Sequence, residues 1–468
     1  MADLINSAIK YALQLGADYA EARFEISSGN HFLLNNGVLE GASFGESRGI
    51  GVRLLINNTW GLASTNSLDT VSIRKVVERA LAAAKGAKRT TSIRLGELEP
   101  SRARYEVRQK KPLTSIAPEE KISFLKVLDD SLLKTKLNFA TRYFALSDEI
   151  VKRIYVNSEG SEIESKIPSV SLYYLFTIKG STATQQRYWN YGSCGGWEVV
   201  GDWKLQEVLP EEAKALFKVL KDGQKPPAKP ITLITGPQVS GIIAHESCGH
   251  PFEADRIFGR EAAQAGESWV TPAMLGSKFA TKAVNLVDDP TIPNSYGFYL
   301  YDDEGVKARK RYLIKDGLIN EFYHNRETAG AMGIKSNGAA RASDYDKEPI
   351  VRMSNTYFEP GEQSESELIK ETKFGVYFKS FTEWNIDDLR YNNKYVSAEA
   401  YLIENGRLTK PIRNAVFEIT TPALYAAIEA VGSNFELHSA TCGKGEPLQG
   451  MRVTHGGGSL KLRNIRLK

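Results

Sequence analysis

Two histidines and a glutamate lie close together in AHESCGHPFEAD, residues 244–255: His245, Glu246 and His250. Imidazole nitrogens bind zinc, and a neighbouring carboxylate can act as a general base, so these residue types could support zinc-dependent hydrolysis. In the H-E-x-x-H signature of zinc proteases the two histidines are four positions apart, whereas here they are five apart. On a regular α-helix, positions five apart differ by roughly 140° around the axis and could not bind one ion.

The spacing therefore predicts a local departure from α-helical geometry between the two histidines. A single π-turn, with i→i+5 bonding, brings positions five apart onto one face, and a helix ending between them would serve equally well. Gly249 loosens the backbone before His250, and Pro251 prevents a regular continuation. The alternative stays open on the pattern alone: both histidines could be ordinary helix or turn residues, one in the core and one exposed.

A catalytic zinc usually has three protein ligands and an open position for water, so a third ligand is expected. Glu253 and Asp255 follow closely, but carboxylates near a helix end are more often solvated or structural. Cys442, in SATCGKGEP, is flanked by small residues that would let a loop approach a metal; alternatively, it is a loop cysteine without a role. Cys248, one turn after His245, could bind the metal but is interpreted as a small buried residue. Cys194, in a glycine-rich turn, is interpreted as incidental, and His455 is expected in a flexible turn without an assigned role.

Helices and hairpins can be predicted around this stretch. The N-terminal residues have helical apolar spacing, a second helix is expected from Asp69 as N-cap to Gly86, and a third begins at Pro118. Three apolar-rich segments contain a central Asn-Gly or Asp-Gly pair, which is typical of β-hairpins: LLNNGVL, KRYLIKDGLINEFYHN and EAYLIENGRLTKPI. The segment ITLITG, before the two histidines, is predicted to be a short buried strand.

The order of these elements indicates the α+β class, with two domains and mostly antiparallel sheets. The polar, proline-rich segment 222–230, DGQKPPAKP, is the best linker in the chain. We therefore predict an N-terminal α+β domain over residues 1–224 and a C-terminal domain over residues 225–468. The second domain is expected to be β-rich and to carry the HExxxH helix.

Composition excludes several classes of protein. Sixty basic and 56 acidic side chains give a net charge of +4, without a run of like charges, which argues against a nucleic-acid partner. No apolar run approaches the roughly 20 residues of a membrane helix, and the N-terminus lacks the pattern of a secretion signal. Three scattered cysteines do not make a disulfide framework, so a cytoplasmic protein with free thiols is expected.

The stretch AHESCGHPFEAD resembles the H-E-x-x-x-H signature of the TldD/PmbA family of peptidases, and in particular its active, TldD-type members. Other segments resemble that family in the same order along the chain: YDDEG, NGAAR, PIVRMSNTYFEPGE, SAEAYLIENGRLTKPI and CGKGEPLQG. The resemblance implies a zinc peptidase in which His245, His250 and Cys442 bind the metal and Glu246 is the acid/base. It also implies action on small or unfolded peptides and pairing with a PmbA/TldE-like paralogue, or with a second copy of the chain.

Substrate binding is predicted from less specific features. Asn337 and Arg341 are candidates for peptide contacts, because an amide and a guanidinium suit backbone recognition; the alternative is a polar loop exposed to water. An extended peptide could also add to a sheet edge. The segment 379–396, KSFTEWNIDDLRYNNKYV, departs from the family pattern, in which a glycine-rich segment is usual.

Two non-catalytic alternatives accompany the peptidase hypothesis: a structural zinc that stabilises a partner subunit, and a PmbA-like scaffold subunit. A structural site normally has four protein ligands, so Cys248 or Glu253 as a fourth ligand would favour the first. Glu246 argues against both, because a non-catalytic site does not need a carboxylate at that position.

Overall fold

The computed structural model describes residues 1–87, 89, 91–260 and 267–468. Its described helices are α1 (Ala2–Gln14), α2 (Thr70–Gly86), α3 (Pro118–Leu133), α4 (Val199–Asp202), α5 (Leu205–Asp222), α6 (Pro237–Ala244), α7 (Ala254–Ile257), α8 (Arg326–Met332), α9 (Glu365–Lys370) and α10 (Thr421–Ala427). Among these helices, none combines the length and apolarity needed to cross a membrane.

The first half of the chain forms a seven-stranded sheet. Its strands are β1 (Tyr19–Asn35), β2 (Val38–Ile56), β3 (Thr59–Thr65), β4 (Arg102–Glu106), β5 (Phe139–Asn157), β6 (Glu162–Lys179) and β7 (Thr184–Cys194). The order is β3-β2-β1-β5-β6-β4, and β7 also pairs with β6; only β4 and β6 pair in parallel. Helices α1 and α2 cover β1, β2 and β3 with apolar side chains, which form a core of their own.

The second half contains two larger sheets and a two-stranded one. The six-stranded sheet has the order β11-β10-β9-β14-β21-β20, and its strands are β9 (Leu286–Asp288), β10 (Arg311–Lys315), β11 (Leu318–Ile319), β14 (Asn355–Phe358), β20 (Glu436–Lys444) and β21 (Gln449–Gly457). The second seven-stranded sheet has the order β17-β16-β15-β8-β22-β19, with β18 on β16. Its strands are β8 (Ile231–Thr235), β15 (Phe374–Ile386), β16 (Asn392–Glu404), β17 (Arg407–Ile412), β18 (Val416–Thr420), β19 (Ile428–Val431) and β22 (Leu460–Ile465). Strands β12 (Ala340–Arg341) and β13 (Ile350–Val351) pair with each other.

The α+β class with mostly antiparallel sheets is confirmed, and the three predicted hairpins are present. Each has both turn residues at positive φ: Asn36 and Gly37, Asp316 and Gly317, and Asn405 and Gly406. Such pairs fit type I′ turns, whose twist matches that of the strands. The division of the chain at residues 224 and 225 stays a prediction.

Helix α6 lies between the two larger sheets of the second half. It follows the buried strand β8 directly and packs against β15 on one side and against β14, β20 and β21 on the other. Every residue of α6 is buried except Gln238, which is partly exposed. The residues that follow α6 are therefore held between two sheets, within reach of side chains from both.

Candidate metal centre

The chain between the two histidines of AHESCGHPFEAD forms a π-turn. α6 ends at Ala244, residues His245–Gly249 are π-helical, and His250–Phe252 form one 3₁₀ turn. The predicted departure from α geometry is therefore confirmed. The wider turn brings the two imidazole rings together, with their centroids 4.9 Å apart and the ring planes at 82°.

Local sequence explains where the helix changes. At Gly249, φ is −51°, so a left-handed backbone is not the reason for glycine. A Cβ at this position would lie 2.0 Å from the sulfur of Met353, so the residue allows a close approach to the neighbouring chain. Pro251 lacks an N–H and cannot continue the hydrogen-bond ladder of the helix, which agrees with the change to a 3₁₀ turn.

Cys442 joins the two histidines in space. One ligand atom each from His245, His250 and Cys442 lie within 4.8 Å of one another, and all three residues are buried. The prediction that Cys442 lies in a loop is wrong: it lies in β20, opposite Met451 of β21. The glycine that follows it, Gly443, belongs to the same strand, although its composition is typical of a loop.

The donor types of these three residues, two imidazole nitrogens and one thiolate, are ones that zinc takes in proteins. Tetrahedral zinc with two nitrogens and one sulfur needs donor separations of about 3.3–3.6 Å. The Cys442 sulfur is 3.4 Å from His250 Nε2. His245 Nδ1 is buried and has no hydrogen-bond partner among the described residues. A buried polar atom without a protein partner is expected where a ligand such as a metal ion binds.

Electrostatics favour the form of Cys442 that binds metal. Burial alone would raise the pKa of its thiol, but His250, His245 and Arg352 together hold that pKa well below its usual range. Burial likewise opposes protonation of His245, yet the adjacent sulfur of Cys442 raises the pKa of that imidazole. The thiolate is the zinc-binding form of cysteine, so the site is prepared for a cation.

Glu253 orients His250. Its Oε2 lies 3.1 Å from His250 Nδ1, so the other ring nitrogen, Nε2, points towards Cys442. Burial opposes ionisation of Glu253, but Lys444, His250 and Arg256 keep the pKa of its carboxyl well below the usual value. A carboxylate on the second nitrogen of a ligating histidine is a common outer-shell partner at zinc sites. Glu253 is thus buried and contacts a predicted ligand, so of the two interpretations from the sequence, a solvated or a structural carboxylate, the structural one agrees with its position.

Lys444 joins strand β20 to the segment that carries the histidines. Its Nζ lies 2.7 and 2.8 Å from the two carboxylate oxygens of Asp255, 3.2 Å from Glu253 Oε2 and 2.7 Å from the carbonyl oxygen of Val351. Lys444 is two residues after Cys442 and is fully enclosed. The ammonium therefore fixes the position of the sulfur relative to the two imidazoles.

We expect Lys444→Met to lower the free energy of unfolding by about 3–5 kcal/mol, because the buried carboxylate of Asp255 loses its ammonium partner and Glu253 is left with Arg256. Metal affinity should fall about tenfold to a hundredfold, since Glu253, the partner of His250, loses one of the cations that hold it in place. Thermal unfolding and metal analysis measure the two effects. Lys214→Met, which removes an exposed ion pair with Glu211, is the control and should change stability little. Unchanged stability of Lys444→Met would contradict the role of Lys444 in joining β20 to the segment that carries the histidines.

The carboxylate of Glu246 has two differently placed oxygens. Oε1 accepts a hydrogen bond from Trp384 Nε1 at 3.2 Å, and Arg390 Nη1 lies 3.6 Å from Oε2. Oε2 is buried and accepts no hydrogen bond from the described residues. One oxygen of the carboxylate is thus anchored, and the other is available. Sequence reasoning missed Trp384 and Arg390, although both lie in the segment 379–396 that it set apart.

His455 is a second residue that sequence reasoning placed wrongly. It lies in β21, is 3% exposed, and its ring centroid is 5.9 Å from that of His245. The prediction of a flexible turn came from the glycines of THGGGS. Within the strand, those glycines allow tight packing: a Cβ at Gly456 would lie 2.0 Å from the backbone oxygen of Glu436.

Asn337 and Arg341 do not join the cluster of His245, His250 and Cys442. The Asn337 amide is used internally: it donates to the Phe322 carbonyl and accepts from the His324 N–H. The Arg341 guanidinium donates to the Met353 carbonyl oxygen at 2.6 Å and lies over the ring of Tyr299. Both residues are buried, so the alternative of an exposed polar loop is wrong.

Arg341 lines a cavity of about 300 Å³ between the first sheet and the second half of the chain. Burial lowers the pKa of its guanidinium to about 10, and among the described residues no carboxylate lies within 4.0 Å of it. Met451, which is paired with Cys442, lines the same cavity. Strands β20 and β21 therefore contribute one residue to the histidine–cysteine cluster and another to the cavity lining.

The other two cysteines lie away from the three ligand atoms. Cys248 is fully buried, and its pKa is raised well above the usual value, chiefly by burial, in agreement with a small core residue. Cys194 is the last residue of β7 and is also buried, with its sulfur 3.9 Å from the Tyr296 carbonyl oxygen. Neither thiol belongs to the described group that could hold a metal.

Three family models match nearly the whole chain. They describe domain 1, the central domain and the C-terminal domain of the PmbA/TldA metallopeptidases, and they match residues 20–84, 111–219 and 228–468 respectively. The C-terminal model alone covers the π-turn, β20 and the hairpin of β15 and β16.

Similar proteins include archaeal proteases and solved structures. A metalloprotease of Methanocaldococcus jannaschii is 32% identical over 455 residues, 97% of either chain. A protein of Saccharolobus solfataricus named as a zinc metalloprotease TldD homolog is 28% identical over 98% of either chain. In fold, the chain is similar to a Thermotoga maritima crystal structure (TM-score 0.80, 18% identity, 100% of both chains) and to TldE from Thermococcus kodakarensis (0.74, 20%, 100% of this chain and 99% of that one).

Proposed function

The chain belongs to the TldD/PmbA family, which the matching models call PmbA/TldA metallopeptidases. We propose that it is an active zinc-dependent peptidase of the TldD type. The observation that carries this proposal is the convergence of His245, His250 and Cys442 next to a buried carboxylate, that of Glu246. Three protein ligands are the number typical of a catalytic zinc, and the Glu246 carboxylate would supply a base beside the metal.

In this proposal His245, His250 and Cys442 hold the zinc. Bound zinc would supply Lewis acidity to the scissile carbonyl and to the attacking water. Glu253 keeps His250 in the tautomer that presents Nε2, and Lys444 keeps β20 in place. The chain's own contribution is thus to hold three donors at fixed positions in a buried site.

Glu246 would act as the general base and then as the general acid. Oε2 would accept the proton of the attacking water, because Oε1 is occupied by the Trp384 N–H. The same carboxyl would deliver this proton to the leaving amine. Proton transfer by a positioned group of this kind contributes about 10²–10⁴-fold in rate.

The proposed substrates are small or unfolded peptides, cleaved with little sequence preference. The guanidinium of Arg341 is buried and forms no ion pair within 4.0 Å among the described residues, although Asp303 lines the same cavity. This supports a role for Arg341 in binding a carbonyl or carboxylate of the peptide. Asn337 as a substrate contact stays a prediction. So do the cytoplasmic location and pairing with a TldE-like paralogue or with a second copy; the fold similarity to a TldE structure supports such a partner.

The experiment that tests the function combines metal analysis with a peptide assay. We expect about one zinc per purified chain and cleavage of an unstructured fluorogenic peptide, but no cleavage of a folded protein. A chelator should stop cleavage, and added zinc should restore it. The assay is run with the chain alone and with a candidate partner subunit. Full zinc content without cleavage in either assay would favour the non-catalytic scaffold instead.

A further inference from the structure

We propose that Trp384 and Arg390, on the hairpin of β15 and β16, are positioning residues that hold the Glu246 carboxylate for proton transfer. The proposal rests on the peptidase function above, since it assigns these residues a role through Glu246. Both residues lie in the segment 379–396, KSFTEWNIDDLRYNNKYV, which departs from the family pattern.

Trp384 and Arg390 lie next to different oxygens of the Glu246 carboxylate. Trp384 donates its indole N–H to Oε1 at 3.2 Å, and Arg390 Nη1 lies 3.6 Å from Oε2 without a hydrogen bond. The indole therefore sets the rotation of the carboxylate, and the guanidinium supplies a positive charge next to the available oxygen. The side chains of Glu246 and Arg390 are only 11% and 14% exposed, so water screens this charge weakly.

Aromatic packing holds the indole in place. Trp384 makes an edge contact with Phe381, with ring centroids 5.3 Å apart, and Phe381 makes another with Trp189 at 5.5 Å. Trp189 belongs to β7 of the first sheet. A donor fixed by such a row of rings loses little conformational freedom when it binds a carboxylate, which is the requirement for a pre-positioned group.

The backbone of Arg390 is held in an unfavourable conformation. Its φ of +65° is in the left-handed region, which costs a non-glycine residue roughly 1–2 kcal/mol. The turn maintains this conformation: the Arg390 N–H donates to the Asp387 carbonyl, and the Arg390 carbonyl accepts from Thr421 Oγ1 at 2.8 Å. These two hydrogen bonds hold the turn, and with it the start of the Arg390 side chain, in one conformation.

A further contact joins the same hairpin to the π-turn. Ser247 Oγ donates to Asn393 Oδ1 at 2.9 Å and lies 3.1 Å from the Tyr395 hydroxyl, both on β16. The hairpin thus contacts the π-turn at two successive residues, Glu246 and Ser247. These contacts fix the π-turn relative to the hairpin.

The test compares variants of the full-length, zinc-loaded protein. We expect Arg390→Gln and Trp384→Phe each to lower kcat for the peptide about tenfold to a hundredfold, the usual effect of removing an outer-shell partner. KM and zinc content should change less than twofold, because neither side chain binds substrate or metal. Arg390→Lys, which keeps a positive charge, should recover part of the lost kcat.

Two controls keep the test specific. Trp269→Phe removes an indole N–H that has no hydrogen-bond partner in the described part of the chain, and Lys394→Gln removes a charge from the same hairpin. Both should retain wild-type kcat. Melting temperatures provide a readout other than activity: the shift for Glu246→Gln combined with Arg390→Gln should be smaller than the sum of the single shifts, since coupled residues are not additive.

Wild-type kcat in Arg390→Gln and Trp384→Phe, or additive melting shifts, would overturn the positioning role while leaving the peptidase function intact. So would a rise in KM with unchanged kcat. A zinc-loaded wild-type protein that fails to cleave the peptide would instead overturn the proposed function. The two failures are therefore distinguishable in one set of measurements.

Discussion

Glu246→Gln is expected to lower peptide cleavage by about 10²–10⁴-fold while leaving about one zinc per chain. Glutamine keeps the size of the side chain and can still accept the Trp384 hydrogen bond at its amide oxygen. It cannot accept the proton of the attacking water, which is the step assigned to Oε2. The three metal ligands are unchanged, so this variant should keep its zinc while losing peptide cleavage.

The measurement is kcat/KM on the unstructured peptide together with zinc content by elemental analysis. Glu383→Gln is the matched control, because it makes the same change at an exposed position of the neighbouring hairpin, and it should have wild-type activity. Unchanged cleavage by Glu246→Gln would remove Glu246 from the mechanism.

Cys442→Ser is expected to lower zinc affinity by more than about a hundredfold, the upper figure for losing an outer-shell partner alone. The pKa of the Cys442 thiol lies well below its usual range despite burial, because His250 and His245 stabilise the thiolate. A serine hydroxyl is not ionised at neutral pH and would leave two imidazoles to hold the ion. Cleavage should be lost together with the metal, unlike in Glu246→Gln.

Zinc retention after dialysis against a chelator of graded strength measures this effect. Cys248→Ala and Cys194→Ala are the controls, since both thiols are buried and neither belongs to the three-residue group. They should retain zinc as the wild type does. Full zinc occupancy in Cys442→Ser would refute the assignment of the third ligand.

Local features of the chain were predictable because short-range rules control them. Asp69 caps α2 with its side chain on the Ser72 N–H, and Pro118 begins α3. The Asn-Gly and Asp-Gly turns needed no tertiary information, since their positive φ angles restrict the residues allowed there. The π-turn was predictable from the spacing of His245 and His250, given the hypothesis that both face one ion.

Long-range contacts of the site could not be read from local patterns. Trp384 is 138 residues from Glu246 along the chain, and no spacing rule connects them. The small residues around Cys442 and His455 indicate loops or turns by composition, whereas both residues lie in strands. At Gly456 the glycine allows a neighbouring backbone to pack closely. Glycine occurs both in flexible turns and where a neighbouring backbone packs closely, and the sequence around it does not tell which of the two applies.

The central claim is that two imidazoles on one π-turn and a thiolate from a distant strand bind one zinc. X-ray absorption at the zinc edge of the purified protein tests it most directly. The predicted spectrum has two nitrogen neighbours at about 2.0–2.1 Å and one sulfur at about 2.3 Å, with one further light atom. A zinc shell without sulfur, or with two sulfurs, would contradict the ligand set on which the proposed peptidase mechanism depends.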